Sequence, residues 1–95
     1  MSSPRVERIR IALQNAFSPQ FLEVEDQSHL HAGHAGAATG RGHFHVRIVA
    51  QAFDGLSPIH RHRAVYAAVG DLMQTDIHAL SMETRSPAEA ASSAG

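Results

Sequence analysis

Histidine is the residue type with the most chemistry to offer in this sequence. There are eight in 95 residues, beside a single tyrosine, no tryptophan and no cysteine. Imidazole has an ordinary pKa of about 6.5 and is the commonest metal ligand in proteins. A chain rich in histidine and free of cysteine can offer nitrogen donors or a charge that changes near neutrality. It can offer neither thiolate ligands nor disulfides. Three of the eight fall within Ser28-His29-Leu30-His31-Ala32-Gly33-His34-Ala35-Gly36, among small residues that let the backbone bend and a partner approach closely. Two readings stand: an exposed polar segment in which histidine is incidental, or metal ligands on a mobile arm.

The remaining histidines divide by setting. His43 and His45 lie two apart, a spacing that could clamp a metal, but the polar face of an amphipathic strand also calls for hydrophilic side chains. His60 and His62 flank Arg61; His60 reads as solvated and His62 as a hydrogen-bonded, partly buried core histidine. His78 opens a short apolar segment and would share a face with Leu80 and Met82. A histidine there is either satisfied by a buried partner or held at the rim of the core as a ligand. With a His-rich loop nearby, it would complete a plausible open half-site.

Other chemistries find less support. No nucleophile–base–orienter set, Walker A loop or HExxH motif is present, so an enzyme is not expected. Glu23 and Glu25 alternate with apolar residues and look like a solvated strand face. The formal net charge of −1 lacks the basic excess usual for nucleic-acid binders. Gly33-His-Ala-Gly36 does match the G-x-x-G loop of KH domains, although here it would join two strands rather than two helices. Arg61-His62-Arg63 is the only basic run. The apolar runs fall far short of the roughly 18 residues that span a bilayer, and the N-terminus has no apolar signal core, so a soluble, cytoplasmic protein is expected.

The elements that must position these side chains follow from periodicity. Ser3-Pro4 starts a helix, with Val6, Ile9, Leu13 and Ala16 or Phe17 at helical spacing and Ser18-Pro19 as its stop. Phe21–Asp26 alternates as a half-buried strand. Gln27–Gly42 has no sustained apolar period and is expected to be a long loop, a kind of segment that tends to be functional. His43–Ala50 is the clearest strand, with Phe44, Val46, Ile48 and Ala50 on one face. A turn at Phe53–Pro58 leads into a second helix capped by Ser57, with Ile59, His62, Tyr66, Val69 and Met73 as its inner stripe, widened by Val65 and Leu72. Asp76–Thr84 is the third strand. The order helix-strand-strand-helix-strand predicts an α/β (α+β) domain over residues 4–84. Its three-stranded mixed sheet has the first pair antiparallel, the second parallel through a right-handed crossover, and helices on one face. Residues 85–95 read as a disordered polar tail.

Over about residues 5 to 87 the chain resembles the BolA family. The resemblance is carried by Ser28–Gly36, Gly42-His-Phe44 with Val46, Phe53-Asp-Gly55, Arg61-His-Arg63 followed by Val65-Tyr66, and Ile77-His-Ala-Leu80, in that order. It implies a class II KH-like fold. It also implies a heterodimer with a monothiol glutaredoxin of the Cys-Gly-Phe-Ser type, in which a [2Fe-2S] cluster is shared with the glutaredoxin and glutathione; none is expected in the isolated chain. His78 matches the family's ligand in the last strand. His34 best matches the loop ligand, with His31 and His29 as alternatives. The resemblance also implies a second reading, a transcriptional regulator that binds nucleic acid through Arg61, Arg63, Gly33 and Gly36. A weak homodimer of the isolated chain stays open.

Overall fold

The structure, a computed structural model, describes residues 3–28 and 41–94. Helix α1 spans Pro4–Phe17; the Ser3 hydroxyl accepts from the Val6 N–H, and Pro4 costs no helical donor at that position. Its buried residues are Ile9 and Leu13. Strand β1 (Phe21–Asp26) pairs antiparallel with β2 (Gly42–Val49), Phe21 opposite Val49 and Asp26 opposite Phe44. A single 3₁₀ turn, Gln51–Phe53, leads to α2 (Pro58–Val69), capped by Ser57, and to the short α3 (Leu72–Thr75). Strand β3 (Ile77–Arg85) then pairs parallel with β2, giving the sheet order β1-β2-β3. The expected fold class, mixed sheet and helix layer are all present.

The core lies between the inner sheet face and the helices. Phe44, Val46 and Ile48 of β2 meet Ile9 and Leu13 of α1, Val65 and Val69 of α2, and Phe53, with Phe17 stacked 5.0 Å from Phe53 between ring centroids. The opposite face of the sheet carries His43, His45 and Arg47 between these core residues, and Arg47 there bridges Glu23 and Glu83.

Three expectations are corrected. The inner stripe of α2 is Arg61, Val65 and Val69, whereas Ile59 and Tyr66 are 56% and 40% exposed and His62 is exposed. Hydropathy counts an arginine as solvent-facing, and the periodicity therefore turns Arg61 outward where the structure buries it. The guanidinium is buried because it donates to the Leu56 and Thr84 carbonyls, at 2.9 and 3.1 Å, and to the Glu89 carboxylate at 2.6 Å. Second, Arg85 belongs to β3 and Pro87–Ala94 forms a helix, α4, where a disordered tail was expected. Ser86 and Glu89 cap that helix reciprocally, Ser86 N–H to Glu89 at 2.7 Å and Glu89 N–H to Ser86 Oγ at 3.3 Å. The third correction concerns His78.

Candidate metal-ligand site at the β2–β3 bulge

Strict alternation would place His78 on the same side as Leu80, in the core. The pairing of β3 with β2 is irregular at this point: Gly42 lies opposite Ile77, but His43 lies opposite Ala79. His78 is the extra residue of a β-bulge. The bulge allows Ile77 and Leu80, three apart, both to be buried, and it leaves His78 exposed. It therefore does not share a face with Leu80 and Met82.

Released from the core, the His78 ring lies 5.2 Å from that of His43 between centroids, with the planes at 51°. Two imidazoles bound to one tetrahedral metal, with metal–nitrogen bonds of about 2.0–2.1 Å, hold their ring centroids roughly 5 Å apart. The pair thus has the spacing of two donors to one centre. Among the described residues no hydrogen bond ties up either ring nitrogen of His78, and no cluster of three or more metal-ligating side chains occurs. A third donor must come from elsewhere.

The other end of the arrangement is the base of the His-rich loop. The Gln27 N–H donates to the His43 carbonyl at 2.8 Å, and the His43 N–H donates to Ser28 Oγ at 3.1 Å. Ser28 is itself held by its N–H to Asp26 Oδ1 at 2.9 Å. On the returning side, Gly42 packs so closely that an added Cβ would meet Ser28 Oγ at 2.6 Å and the Phe44 ring at 2.8 Å. Ser28 and Gly42, which flank residues 29–40 in the chain, are therefore both fixed beside His43. His29, His31, His34, Gly33 and Gly36, and the expected loop itself, lie outside the described residues.

The sequence offers His43 either as a polar strand residue or as half of a clamp with His45; the structure brings it instead to His78. A bulge has no signature in hydropathy, although two apolar residues three apart, Ile77 and Leu80, around a histidine are a trace of one. His45 is occupied differently, its Nδ1 2.6 Å from Ser81 Oγ and its Nε2 4.0 Å from Glu83. His60 Nδ1 lies 2.9 Å from Ser57 Oγ at the start of α2. A cleft of about 360 Å³, lined by Gln27, His43, Phe44, Ala79, Leu80 and Ser81, opens next to the imidazole pair.

Charge around the bulge is ordered by Asp76. Its buried carboxylate accepts from Arg8 at 2.6 Å, Thr75 Oγ1 at 2.8 Å and Arg5 at 3.3 Å. The hydrogen bond from Arg8, then those from Thr75 and Arg5, hold its pKa below the ordinary carboxylate value against the opposing effect of burial. Arg63 is exposed on α2, whereas Arg61 is enclosed by its three acceptors and does not present its guanidinium to solvent phosphate.

The fold and site define a small α/β domain, helices on one side of a three-stranded sheet, with an imidazole pair at a bulge and a His-rich segment rooted beside it. The chain belongs to the BolA family: the model of the family described as BolA-like protein matches residues 13–89. It is 46% identical over 87 residues to SufE-like protein 1, chloroplastic/mitochondrial, of Arabidopsis thaliana, covering 86% of this chain and 24% of that one. It is 42% identical to human BolA-like protein 1, covering 85% and 57%. It is 40% identical to the Escherichia coli protein named DNA-binding transcriptional regulator BolA, covering 82% and 71%. The solved BolA domain of SufE1 from Arabidopsis thaliana superposes with a TM-score of 0.82 at 41% identity, covering 94% of this chain and 99% of that one. The chain spans from about a quarter to somewhat over half the length of several of these relatives.

Proposed function

We propose that this chain is a binding adaptor rather than an enzyme. It would join a monothiol glutaredoxin of the Cys-Gly-Phe-Ser type and co-ligate a [2Fe-2S] cluster with it and glutathione, in cluster assembly, trafficking or iron sensing. The observation that carries this reading is the bulge that turns His78 out of the core and against His43, beside both ends of the His-rich loop. The donor set fits the group: imidazoles are established ligands to one iron of such clusters. His78 is the anchor and His34 the loop ligand, with His31 and His29 as alternatives; His43 is the further donor that the geometry adds. Bound there, the cluster would supply an iron whose neutral ligands raise its reduction potential and make its retention sensitive to pH. The chain's own part is to hold His78 at a fixed point and offer the partner an open side. The chain's similarity to a SufE-like protein and to the BolA domain of SufE1 supports a BolA-like role for it. Two plant relatives bear organelle names, so a cytoplasmic location is part of the proposal.

The test is reconstitution of the chain with such a glutaredoxin, glutathione, iron and sulfide, followed by visible absorption and circular dichroism. His78→Ala abolishes or strongly changes the heterodimer's spectrum, and His34→Ala changes it more than His60→Ala does. A spectrum unaltered by His78→Ala refutes the assignment.

A second reading is favoured by the name of the Escherichia coli relative, a DNA-binding regulator. With Arg61 enclosed, Arg63 and the glycine loop would have to carry it. Binding to duplex DNA that weakens steeply between two salt concentrations would support it, and absence of sub-micromolar binding at low salt would dismiss it.

A further inference from the structure

We propose that Asp76, together with Arg5 and Arg8 of α1, is the positioning device of the His78 site, so that the N-terminal helix sets the direction in which the histidine points. This rests on the ligand role proposed for His78.

A bulge is one of two pairings open to a strand, because a slip of one residue restores a regular ladder and sends each side chain to the opposite face. Here the regular ladder would put His78 on the Leu80 side. Something must hold residues 76–78 in the irregular register, and Asp76, the residue just before the bulge, is gripped from three directions. Its carbonyl accepts from the Gly42 N–H of β2 at 2.9 Å. Its N–H donates to the Leu72 carbonyl of α3 at 2.9 Å. Its carboxylate, 8% exposed, receives Arg8 at 2.6 Å and Arg5 at 3.3 Å, two residues one helical turn apart on α1. The first two bonds fix where the backbone lies. The third fixes its rotation, because a carboxylate whose Oδ1 takes both guanidiniums while Oδ2 takes the Thr75 hydroxyl at 2.8 Å cannot turn with the strand. Ile77 is thereby driven into the core, and the following residue is left to project beside His43. The arginines lie largely at the surface: the Arg5 and Arg8 side chains are 38% and 50% exposed, and among the described residues the partner they share is this carboxylate.

The experiment uses nuclear magnetic resonance of the whole chain, then the reconstituted heterodimer. In the wild type, through-space cross-peaks connect the His43 and His78 rings. In Asp76→Ala and, without any change to β3, in the double variant Arg5→Gln/Arg8→Gln, that cross-peak falls at least about fivefold while those between Phe17 and Phe53 persist. Combining Asp76→Asn with Arg8→Gln adds little to either alone, since both remove one interaction. In the heterodimer the same variants move the visible circular dichroism toward that of His78→Ala. If Asp76→Ala fails to fold, the arginine double variant decides. A His43–His78 cross-peak at wild-type strength in that double variant overturns the proposal. A wild-type chain that binds no cluster refutes the functional reading instead and leaves the ring cross-peak to decide the positioning.

Discussion

Replacing Arg61 offers a demanding check on how α2 is placed. Its guanidinium is almost fully enclosed and forks to two main-chain carbonyls, Leu56 before the helix and Thr84 on β3, and to Glu89 on α4. One side chain thus ties three segments together. A hydrogen bond involving a charged group contributes about 1.5–3 kcal/mol, and a buried acceptor left without its donor costs about 1–3 kcal/mol. Glu89 is half exposed and regains water when its partner is removed, so its share is small. Arg61→Ala should therefore cost about 3 kcal/mol, a large part of the roughly 5–14 kcal/mol available to a domain of this size. The melting temperature should fall by about 12–24 °C. Arg61→Lys keeps the charge but cannot reach three acceptors with a planar fork, and should cost about half as much. Urea denaturation gives the values, with Arg63→Ala as the exposed control, expected within about 0.5 kcal/mol of wild type. Equal, small effects at both arginines would show that Arg61 is not the inward tether described. The outcome also bears on nucleic-acid binding, since a loss of DNA affinity in an Arg61 variant would report unfolding as readily as a lost phosphate contact.

Acidification should free α4 before the rest of the fold. Arg61 and the Ser86 N–H hold Glu89 at a pKa of about 2 from an ordinary 4.5; a lowered pKa is a stabilisation complete above the ordinary value and lost as pH falls toward the folded one. Protection of the Pro87–Ala94 amides, taken relative to their intrinsic exchange rates, should accordingly fall between about pH 4.5 and 2 ahead of that in β2, and Glu89→Gln should remove that dependence. Gly42→Ala should cost about 1–3 kcal/mol by forcing Ser28 and Phe44 aside, read by urea denaturation, and should weaken the His43 N–H to Ser28 bond, read as faster exchange of that amide. Ser18 ends α1 at φ 44°, a left-handed conformation that glycine adopts without strain, so Ser18→Gly should raise stability by up to about 1 kcal/mol in the same assay.

Much of the fold was legible because local chemistry and hydropathy agreed. Ser3-Pro4 and Ser57-Pro58 mark the helix starts, and the alternation in β1 and β2 gives both the strands and their inner faces. Two of the failures share a cause, since the buried side of α2 and the surroundings of His43 depend on tertiary partners that no local window contains. The buried stripe of α2 runs through an arginine, justified only by carbonyls and a carboxylate from three other segments. The helix at Pro87–Ala94 does carry a local start signal, Ser86-Pro87 with Glu89 three residues on, and Glu89 reaching back to Arg61 joins it to the rest of the fold. The spacing of His43 suggests strand polarity or a clamp with His45, because its actual neighbour His78 is set by a register break.

That break is where periodicity and chemistry part company. An unbulged β3 would satisfy alternation at Leu80 and Met82 and would bury His78, which then could serve a core only by finding a hydrogen-bond partner there. The actual strand gives up one ladder pairing, and in return Ile77 and Leu80 both enter the core while an imidazole is presented outward. Bulges are retained where a side chain must be re-aimed, and places where a sequence breaks its own local rule are where function is to be sought. The loop is rooted on the same residue pair: Ser28 and Gln27 bond to the main chain of His43, whose ring faces His78. The chain therefore leaves the described sheet at Ser28, and returns to it at Gly42, close to the His43–His78 ring pair.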